Sequence, residues 1–392
     1  MPQHTTFYVL LETSRHFTRM LLRGVIRWSK LYGPVTIVAS SGHIEQELPG
    51  IQSTEKVGII ARLSTPGVIE AKQLGIHVVT IEPSLEELLV QKNELEISEI
   101  LSNSPKIARM GAEHFLARSF RSFAYCGLPL RIWSDIREKA FDKEITAHGF
   151  DCSIYPQPDP TRLLSREEEH PRLATWLASL RKPVAIMTCN DDRGAQVIET
   201  CNFEGYHVPE QVAVLGVDND DLICELTQPA LSSVRLDLEH AGFQAAELLW
   251  KLISRQVSGY HCIPLEPIQV VTRLSSDVAG QGDALIRQAI RYIRNNYQYQ
   301  IGSIDVAKAL DVSRRTLERR FASLLGRSIH DQIHFFRMEQ AKELLVVTND
   351  PVERIAQITG FGNLKQMLRS FLKFENQTPT QFRKQLRKEF SE

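Results

Sequence analysis

The chain has 392 residues, of which 43% are apolar, so it is long enough for two or three domains with hydrophobic cores of their own. It contains 46 basic and 47 acidic residues, and no apolar run of about 18 residues predicts a membrane span. Its first residues lack the basic start, long apolar stretch and cleavage site of a secretion signal. We therefore expect a cytoplasmic protein that has no membrane partner.

The apolar runs of the first 275 residues alternate with amphipathic helical stretches. The runs are FYVLL, VTIVA, VGIIA, HVVTI, SFAYCG, PVAIMT, VAVLGV and IQVVT. Runs that are apolar on both faces are typical of parallel strands covered by helices on both sides of a sheet. The pattern predicts repeated βα units, and this number of strands favours two lobes over one.

Polar side chains directly follow two of these runs. They are Asn190, Asp191 and Asp192 after the first run, and Asp218, Asn219 and Asp220 after the second. Ligands of open α/β sheets bind beyond the carboxyl ends of the strands, which makes these residues candidates for a binding site. The alternative is that Asp191 and Asp220 only cap the helices that follow them.

The sequence changes character after residue 275. Residues 276–283 are small and polar and predict a linker, and the pattern of residues 284–392 is helical only, with about seven short helices. Residues 280–392 contain 19 Lys and Arg against 12 Asp and Glu, a net charge of +7, which leaves −8 for the first 279. Such a basic excess favours a polyanionic partner, although a solvated basic surface has the same composition.

Side chains that cap helices mark the predicted helix starts of the basic region, which are Ser303, Ser313, Ser328, Asp350 and Thr378. An apolar pattern there occurs twice, at an offset of 49 or 50 residues, because the second copy carries one extra residue. Its positions are Ala307, Val312 and Phe321 in one copy and Ala356, Phe361 and Phe371 in the other. The repeat predicts two helix–turn–helix units joined by a long helix near residues 329–347.

The second helix of each unit has one apolar stripe and one polar stripe. The apolar stripes are Leu317, Phe321 and Leu324 in the first unit and Met367 and Phe371 in the second. The polar stripes are Arg315, Glu318 and Arg319 in the first unit and Leu364, Lys365, Leu368 and Arg369 in the second. A helix that is buried on one face and cationic on the other fits the major groove of DNA, where arginine bonds guanine O6 and N7 together.

Residues 284–388, with IAQITGF, LRSFLKF and TPTQFR, resemble the AraC-type DNA-binding domain. The resemblance implies two recognition helices in successive major grooves of double-stranded operator DNA, and it adds RNA polymerase as a partner. The base-reading residues carried over by position are Arg315, Glu318, Arg319, Leu364, Lys365 and Arg369. The sequence departs from the pattern at Met367, where an aromatic residue is usual, and its two leucines make the second reading face less polar.

Residues 5–275, with CNDDRGAQVI, VAVLGVDNDD, LSSVRLD and VVTRLSSD, resemble the LacI-type sensor, a two-lobed fold shared with periplasmic sugar-binding proteins. We expect lobe 1 at about residues 1–119 and 235–260 and lobe 2 at about residues 120–234 and 261–275. The resemblance implies sugar contacts from Arg137, Asn190 and Asp218, whose groups suit adjacent hydroxyls. Trp133 either stacks on the sugar or only packs.

LacI-type regulators carry a DNA-binding headpiece at the N-terminus, whereas the first predicted strand here starts within about six residues of Met1. A sensor of this type followed by an AraC-type domain is the layout of the bacterial xylose-operon activators, and the whole chain resembles that family. The resemblance implies a sugar-responsive transcriptional regulator, an activator of a pentose utilisation operon, that acts as a homodimer. Its effector is then D-xylose or another pentose, and the residues do not decide which.

Two other classes of protein fit parts of the sequence. The six cysteines form no C-x-x-C pair and no zinc-ligand spacing, and common phosphate-binding and hydrolytic motifs are missing. We therefore expect no catalytic residue, no metal and no cofactor. The alternatives are a constitutive DNA-binding protein and an enzyme with an appended DNA-binding domain, such as a cysteine-based alkyl acceptor that uses Cys189.

Overall fold

A computed structural model describes residues 5–40, 56–62, 70–71, 73–81, 97–129, 131–157, 164–277, 284–348, 350–375 and 377–389. The chain forms two compact units, Met1–Asp277 and Val278–Glu392. Residues 278–283 of the predicted linker lie outside the described ranges. Within those ranges, every helix is too short or too polar to cross a membrane.

The described residues of the first unit form two six-stranded sheets. Their strands are β1 (Thr5–Leu10), β2 (Val35–Ser40), β3 (Lys56–Ala61), β4 (His77–Ile81), β5 (Ser98–Ser102), β6 (Phe123–Cys126), β7 (Cys152–Ile154), β8 (Val184–Thr188), β9 (Val212–Asp218), β10 (Ser232–Leu236), β11 (Cys262–Leu265) and β12 (Pro267–Val271). The first sheet has the order β11-β5-β4-β3-β1-β2, and the second has the order β12-β10-β9-β8-β6-β7. All pairs are parallel except β10 with β12, so the predicted two-lobed α/β architecture is confirmed.

Helices connect these parallel strands. Those that the structure describes are α1 (His16–Tyr32), α2 (Ser104–Leu116), α3 (Ile132–Ala147), α4 (Arg166–Ser179), α5 (Asp191–Phe203), α6 (Asp221–Leu226) and α7 (Leu238–Ile253). Helices α1 and α7 cross so closely that only glycine fits where their backbones meet. A Cβ atom on Gly24 would lie 1.9 Å from the carbonyl oxygen of Glu239, and one on Gly242 would lie 2.0 Å from that of Leu21.

The chain passes between the two sheets three times, at Asn103, Asp237 and Glu266. Hydrogen bonds tie the three crossing segments together. The side-chain amide of Asn103 donates to Glu266 Oε1 over 2.9 Å, and the backbone N–H of Asp237 donates to the Glu266 carbonyl oxygen over 2.9 Å. Lys106 Nζ lies 2.9 Å from the second carboxylate oxygen of Glu266. The crossings therefore form one bonded hinge between the lobes.

The crossings differ from the predicted lobe limits at residues 119 and 261. Helix α2 packs against α3 and β12, on the second sheet, so the first crossing comes before residue 119. Strand β11 pairs with Glu99–Ser102 of the first sheet, so the last crossing comes after residue 261. The cause is burial: α2 covers the second sheet with its apolar face, and β11 satisfies the backbone groups of β5.

The second unit is helical throughout its described residues. Its helices are α8 (Ala284–Asn296), α9 (Ser303–Ala309), α10 (Arg314–Leu325), α11 (Ile329–Val347), α12 (Val352–Ile358), α13 (Leu364–Glu375) and α14 (Pro379–Glu389). The long helix α11 contributes to two separate hydrophobic cores. Ile329 and Ile333 belong to the first core with Phe321, and Ala341 and Leu345 belong to the second with Phe371. One helix thus joins two packed units, as the repeat predicts.

The two units make their turns in the same way. The N–H of Val312 donates to the Ala307 carbonyl oxygen over 3.1 Å in the first, and the N–H of Phe361 donates to that of Ala356 over 3.0 Å in the second. The extra residue of the second turn is Gly362, whose φ of +76° an L side chain rarely adopts. The predicted repeat is therefore a structural repeat.

The predicted helix starts agree with the structure to within one residue. Ser313, Ser328 and Thr378 accept hydrogen bonds from backbone N–H groups three residues ahead, as caps do. The predictions at Ser303 and Asp350 are wrong by one residue, because the caps are Gly302 and Pro351.

Candidate ligand cleft and nucleic-acid interface

The carboxyl ends of three neighbouring strands place the predicted ligand residues on one edge of the second sheet. Strand β8 lies between β6 and β9, and all three run parallel. Asn190 follows β8, Asp218 ends β9, and Gly127 follows β6. The sheet therefore gathers residues that are far apart in the sequence at the position where α/β proteins bind ligands.

Arg137 connects helix α3 to this edge. Its side chain is buried, and Nη1 donates a hydrogen bond to the carbonyl oxygen of Cys189, the residue before Asn190. Its guanidinium carbon lies 5.5 Å from the centre of the Trp133 ring, one turn earlier on the helix. Arg137 Nε and Trp133 Nε1 are both buried and have no hydrogen-bond partner among the described residues. These two groups keep unused donors at the edge of the sheet.

Asn190 begins helix α5. Its side-chain oxygen accepts from the backbone N–H of Arg193 over 3.0 Å, and its amide nitrogen donates to Asp192 Oδ2 over 3.3 Å. The same oxygen also accepts from Cys189 Sγ over 3.7 Å, so one amide N–H is left over after these bonds. Asn190 therefore caps the helix and still has hydrogen-bonding capacity for a ligand.

Asp218 has a backbone conformation that is unusual for its residue type. Its φ is +106°, and the next residue, Asn219, has a φ of +53°. Non-glycine residues in such conformations cluster at functional sites, where the surrounding structure holds them. The half-buried Asp218 carboxylate is thereby held at the end of β9.

Asp191 and Asp220, for which helix capping is the alternative role, have different roles in the structure. Asp220 caps α6, because its side chain accepts from the N–H groups of Leu222 and Ile223. Asp191 does not cap a helix: it is fully buried and accepts from Ser233 Oγ over 2.5 Å and from the N–H of Asp220 over 2.7 Å. Burial, followed by the nearby Asp218 carboxylate, raises the pKa of Asp191 well above its usual range.

The opposite side of the cleft comes from the first lobe, and the sequence analysis missed its residues. Arg15, just before α1, lies 2.8 Å from Asp192 Oδ2 in the second lobe. Next to it is His16, whose pKa burial lowers, while Asp220 and Asp221 of the second lobe partly counteract the shift. Arg15 and His16 follow β1 after a short polar stretch, and that position at the carboxyl end of a strand is the one signal for them in the sequence.

The cysteines of the described chain are all free thiols. Burial raises the pKa of Cys189 to about 12, so its thiolate is strongly disfavoured at neutral pH. An alkyl acceptor needs a thiolate nucleophile, and the environment of Cys189 opposes one. In the residues that the structure describes, no group of three His, Cys, Asp or Glu side chains comes together as a metal site would require.

The first helix–turn–helix unit exposes Arg315 and Arg319 on helix α10 and buries Leu317 and Phe321. Glu318 accepts a hydrogen bond from Arg314 Nε over 2.8 Å, and this bond lowers the pKa of its carboxyl group. The predicted inward position of Leu324 is wrong, since 48% of it is exposed. Its neighbour Leu325 packs on the core instead, because the helix turns by about 100° per residue.

The second unit repeats the arrangement on helix α13, where Met367 and Phe371 are buried. Lys365 and Arg369 are exposed, and Leu364 and Leu368 are half-buried, so the leucines present less of themselves to a DNA groove than the two cations do. The side chain of Asn363 accepts from the N–H of Gln366 over 3.0 Å and caps the helix. Both second helices therefore combine an anchored face with a cationic face.

Comparisons with known proteins agree with this architecture. The family model "Periplasmic binding protein-like domain" matches residues 112–276, and the model "Helix-turn-helix domain" matches residues 306–385. The structure of the xylose-binding transcription activator xylR covers 98% of this chain and 99% of its own, with a TM-score of 0.61 and 25% identity. The operator-bound lac repressor dimer, at 16% identity and a TM-score of 0.53, shares the fold over 70% of this chain and 95% of its own.

Two relatives are similar over most of their length. The xylose operon regulatory protein of Haemophilus influenzae is 31% identical over 287 residues, which are 72% of this chain and 74% of that protein. The protein of the same name from Escherichia coli K12 is 32% identical over 273 residues, 69% of either chain. The chain therefore belongs to the family of xylose operon regulatory proteins.

Proposed function

We propose that this chain is an activator of a pentose utilisation operon whose effector is D-xylose, bound between the two lobes of the sensor. The observation that carries the proposal is the group of polar side chains at the carboxyl edge of the second sheet. Arg137 and Trp133 keep unused donors there, and Asn190 and Asp218 lie on adjacent strand ends. A molecule rich in hydroxyl groups matches this set of donors and acceptors.

The chemistry gives each residue a role. The guanidinium of Arg137 donates to adjacent sugar hydroxyls, and the carboxylate of Asp218 accepts from adjacent hydroxyls. Asn190 donates its remaining amide N–H to a further hydroxyl. Trp133 places an aromatic face beside the guanidinium, where it can cover the C–H face of the sugar.

Sugar binding then favours the closed arrangement of the lobes. A ligand shifts such an equilibrium only by its differential affinity for the two states, so the residues of both lobes must contribute. In a homodimer, closure changes the spacing of the two DNA-binding domains over their half-sites and the contact with RNA polymerase. Arg315, Glu318 and Arg319, with Leu364, Lys365 and Arg369 in the second unit, read the operator. A protein that regulates bacterial operons acts in the cytoplasm.

A thermal-shift screen of the full chain against D-xylose, L-arabinose, D-ribose and D-glucose tests the proposal. A ligand at 100 times its Kd stabilises the folded state by about 2.7 kcal/mol, so D-xylose should raise the Tm by several degrees and exceed the other sugars. Asp218→Asn should abolish the response, and Asp151→Asn, an exposed residue of the same lobe, should leave it intact. If none of the four sugars changes the Tm, the sensor does not bind sugars of this class.

A further inference from the structure

The side chain of Gln157 lies at the same edge of the second sheet as the candidate ligand residues. Gln157 follows strand β7 by three residues, and the N–H of Tyr155 donates to the carbonyl oxygen of Tyr125 over 2.9 Å, which holds this segment beside β6. A Cβ atom on Gly127 would lie 2.8 Å from Gln157 Nε2. The missing side chain of Gly127 therefore leaves the room that the glutamine amide occupies.

Both polar atoms of this amide lack hydrogen-bond partners. Gln157 Oε1 and Nε2 are buried and bond to no other group in the part of the chain that the structure describes. A buried amide without a partner is costly, and native proteins satisfy nearly all such groups, with ordered water or a ligand where the protein supplies no partner. The amide of Gln157 therefore indicates that a further binding partner fits here.

The first turn of helix α3 lies near the same point and includes a residue with an unpaired donor. The Cβ position of Gly127 is also 2.8 Å from Ser134 Oγ, on the first turn of helix α3. Trp133 comes immediately before this serine, and Arg137 comes one turn after it. Trp133 Nε1 and Arg137 Nε are buried and unpaired, as the Gln157 amide is. A ligand here must offer acceptors to the indole and guanidinium donors, and a hydroxylated molecule does so.

We propose that Gln157 is a further sugar-contacting residue of the second lobe, whose amide donates to one hydroxyl of the pentose and accepts from another. This inference rests on the proposed function of the cleft. It assigns the glutamine a part in sugar selection, because a buried amide rejects an analogue that lacks the matching hydroxyl. Gly127 is required indirectly, since any larger residue displaces the amide.

Calorimetric titration of the full chain with D-xylose, combined with the Tm of the sugar-free protein, tests the role of Gln157. Gln157→Met keeps the length of the side chain and removes both polar atoms. We expect the Kd to rise about 10- to 100-fold, because two sugar hydroxyls lose their partner. The sugar-free Tm should hold or rise, since the variant removes an unpaired buried amide. Gln256→Met, an exposed position in the first lobe, is the control and should change neither value.

Two outcomes would overturn the role of Gln157: a Kd within twofold of the unmodified chain, or a weaker Kd together with a lower sugar-free Tm, which indicates a structural role. Monodeoxy derivatives of xylose provide a second measurement on the unmodified protein and on Gln157→Leu, should the methionine variant not fold. The deoxy sugar that lacks the contacted hydroxyl should lose affinity for the unmodified chain and lose much less for the variant. Equal losses for every derivative would contradict a direct contact.

The same titration separates the two proposals. If the unmodified chain binds none of the pentoses, the proposed function fails and the role of Gln157 fails with it. If the unmodified chain binds D-xylose and Gln157→Met binds it equally well, only the role of Gln157 fails. Equal binding by Gln157→Met is also the result expected if an ordered water, and not the sugar, is the partner of the amide.

Discussion

Arg15 and Asp192 are 177 positions apart in the sequence and belong to different lobes, yet Arg15 Nη1 lies 2.8 Å from one carboxylate oxygen of Asp192 and 3.0 Å from the other. The pair bridges the cleft between the strand ends of both sheets. Asp192 also accepts from the amide of Asn190, so the pair connects the first lobe to a candidate sugar-binding residue. Opening of the lobes must break this contact, which makes it part of the closed arrangement.

Removal of the Arg15–Asp192 pair should weaken sugar binding, because the pair stabilises the closed arrangement of the lobes. The two side chains are 52% and 43% exposed, so the pair contributes about 0–1 kcal/mol after solvent screening. Arg15→Met should therefore raise the Kd for D-xylose about two- to fivefold, and 0.5 M salt should reduce the difference in Kd between the two proteins.

A double-mutant cycle with Asp192→Asn, followed by calorimetry, measures the coupling of the two side chains. The matched control is Lys251→Met, which removes an exposed ion pair within helix α7 and should not change the Kd for D-xylose. Additive effects of the two changes on the Kd would show that the pair does not act on closure.

His114 should make the sensor sensitive to acid. Burial, with a smaller effect of Arg118, lowers the pKa of this histidine well below its usual range, and its Nε2 lies 2.7 Å from Ser276 Oγ. In the unfolded chain the histidine takes up a proton near pH 6.5, whereas the folded state disfavours that proton. Its contribution to stability is therefore present above about pH 6.5 and is lost as the pH falls toward the lowered pKa.

His114→Gln should consequently lose less stability than the unmodified chain between pH 8 and pH 5.5. Urea unfolding at the two pH values, followed by tryptophan fluorescence, measures the difference. The same loss in both proteins would mean that His114 does not titrate differently in the folded and unfolded states.

Gly242→Ala should destabilise the first lobe, because its new Cβ atom would lie 2.0 Å from the carbonyl oxygen of Leu21 and helix α1 must move. Overpacking of this kind costs about 1–3 kcal/mol, which should lower the Tm by several degrees. The control is Arg23→Ala, at an exposed position of helix α1. A Gly242→Ala protein with unchanged Tm would refute the close crossing of α1 and α7.

The exposed cations of the recognition helices should differ in what they contribute to DNA binding. If Arg319 reads a base, Arg319→Ala should cost about 1–3 kcal/mol on the preferred sequence and much less on unrelated DNA. If Arg319 contacts only phosphate, its removal should weaken binding to both DNAs equally. The slope of log K against log salt concentration should then fall by about one. Fluorescence anisotropy with both DNAs separates the cases, with Arg181→Ala, an exposed cation of the sensor, as the control. Equal binding by Arg319→Ala and the unmodified chain would exclude Arg319 from the interface.

The sequence predicted the strands that are apolar on both faces and missed those that are not. All eight apolar runs form strands, but β5, with buried Ser98 and Glu99, and β10, with Ser232 and Ser233, went unrecognised. Their serines are buried because hydrogen bonds satisfy them: Ser232 Oγ, for example, donates to the Arg273 carbonyl oxygen over 2.9 Å. Such partners are distant in sequence and cannot be derived from hydrophobic periodicity.

The candidate site was predictable to the extent that it depends on strand ends. Asn190 and Asp218 follow apolar runs and were predicted as candidates from that pattern, whereas Arg137 and Trp133 came from family resemblance. Gln157 follows β7, a three-residue strand that has no apolar signature, so no pattern pointed to it. Its significance comes from an unpaired amide, which is a property of the packed structure alone.

The most direct measurement of the central claim is the affinity of the full chain for its preferred DNA with and without D-xylose. The DNA is first selected from a random library in the presence of the sugar, and binding is then measured by fluorescence anisotropy at fixed salt. Coupling between two sites of one protein is typically about 1–3 kcal/mol, so D-xylose should change the Kd about 5- to 150-fold, and Asp218→Asn should remove the change. The same Kd with and without D-xylose would contradict a sugar-controlled DNA reader.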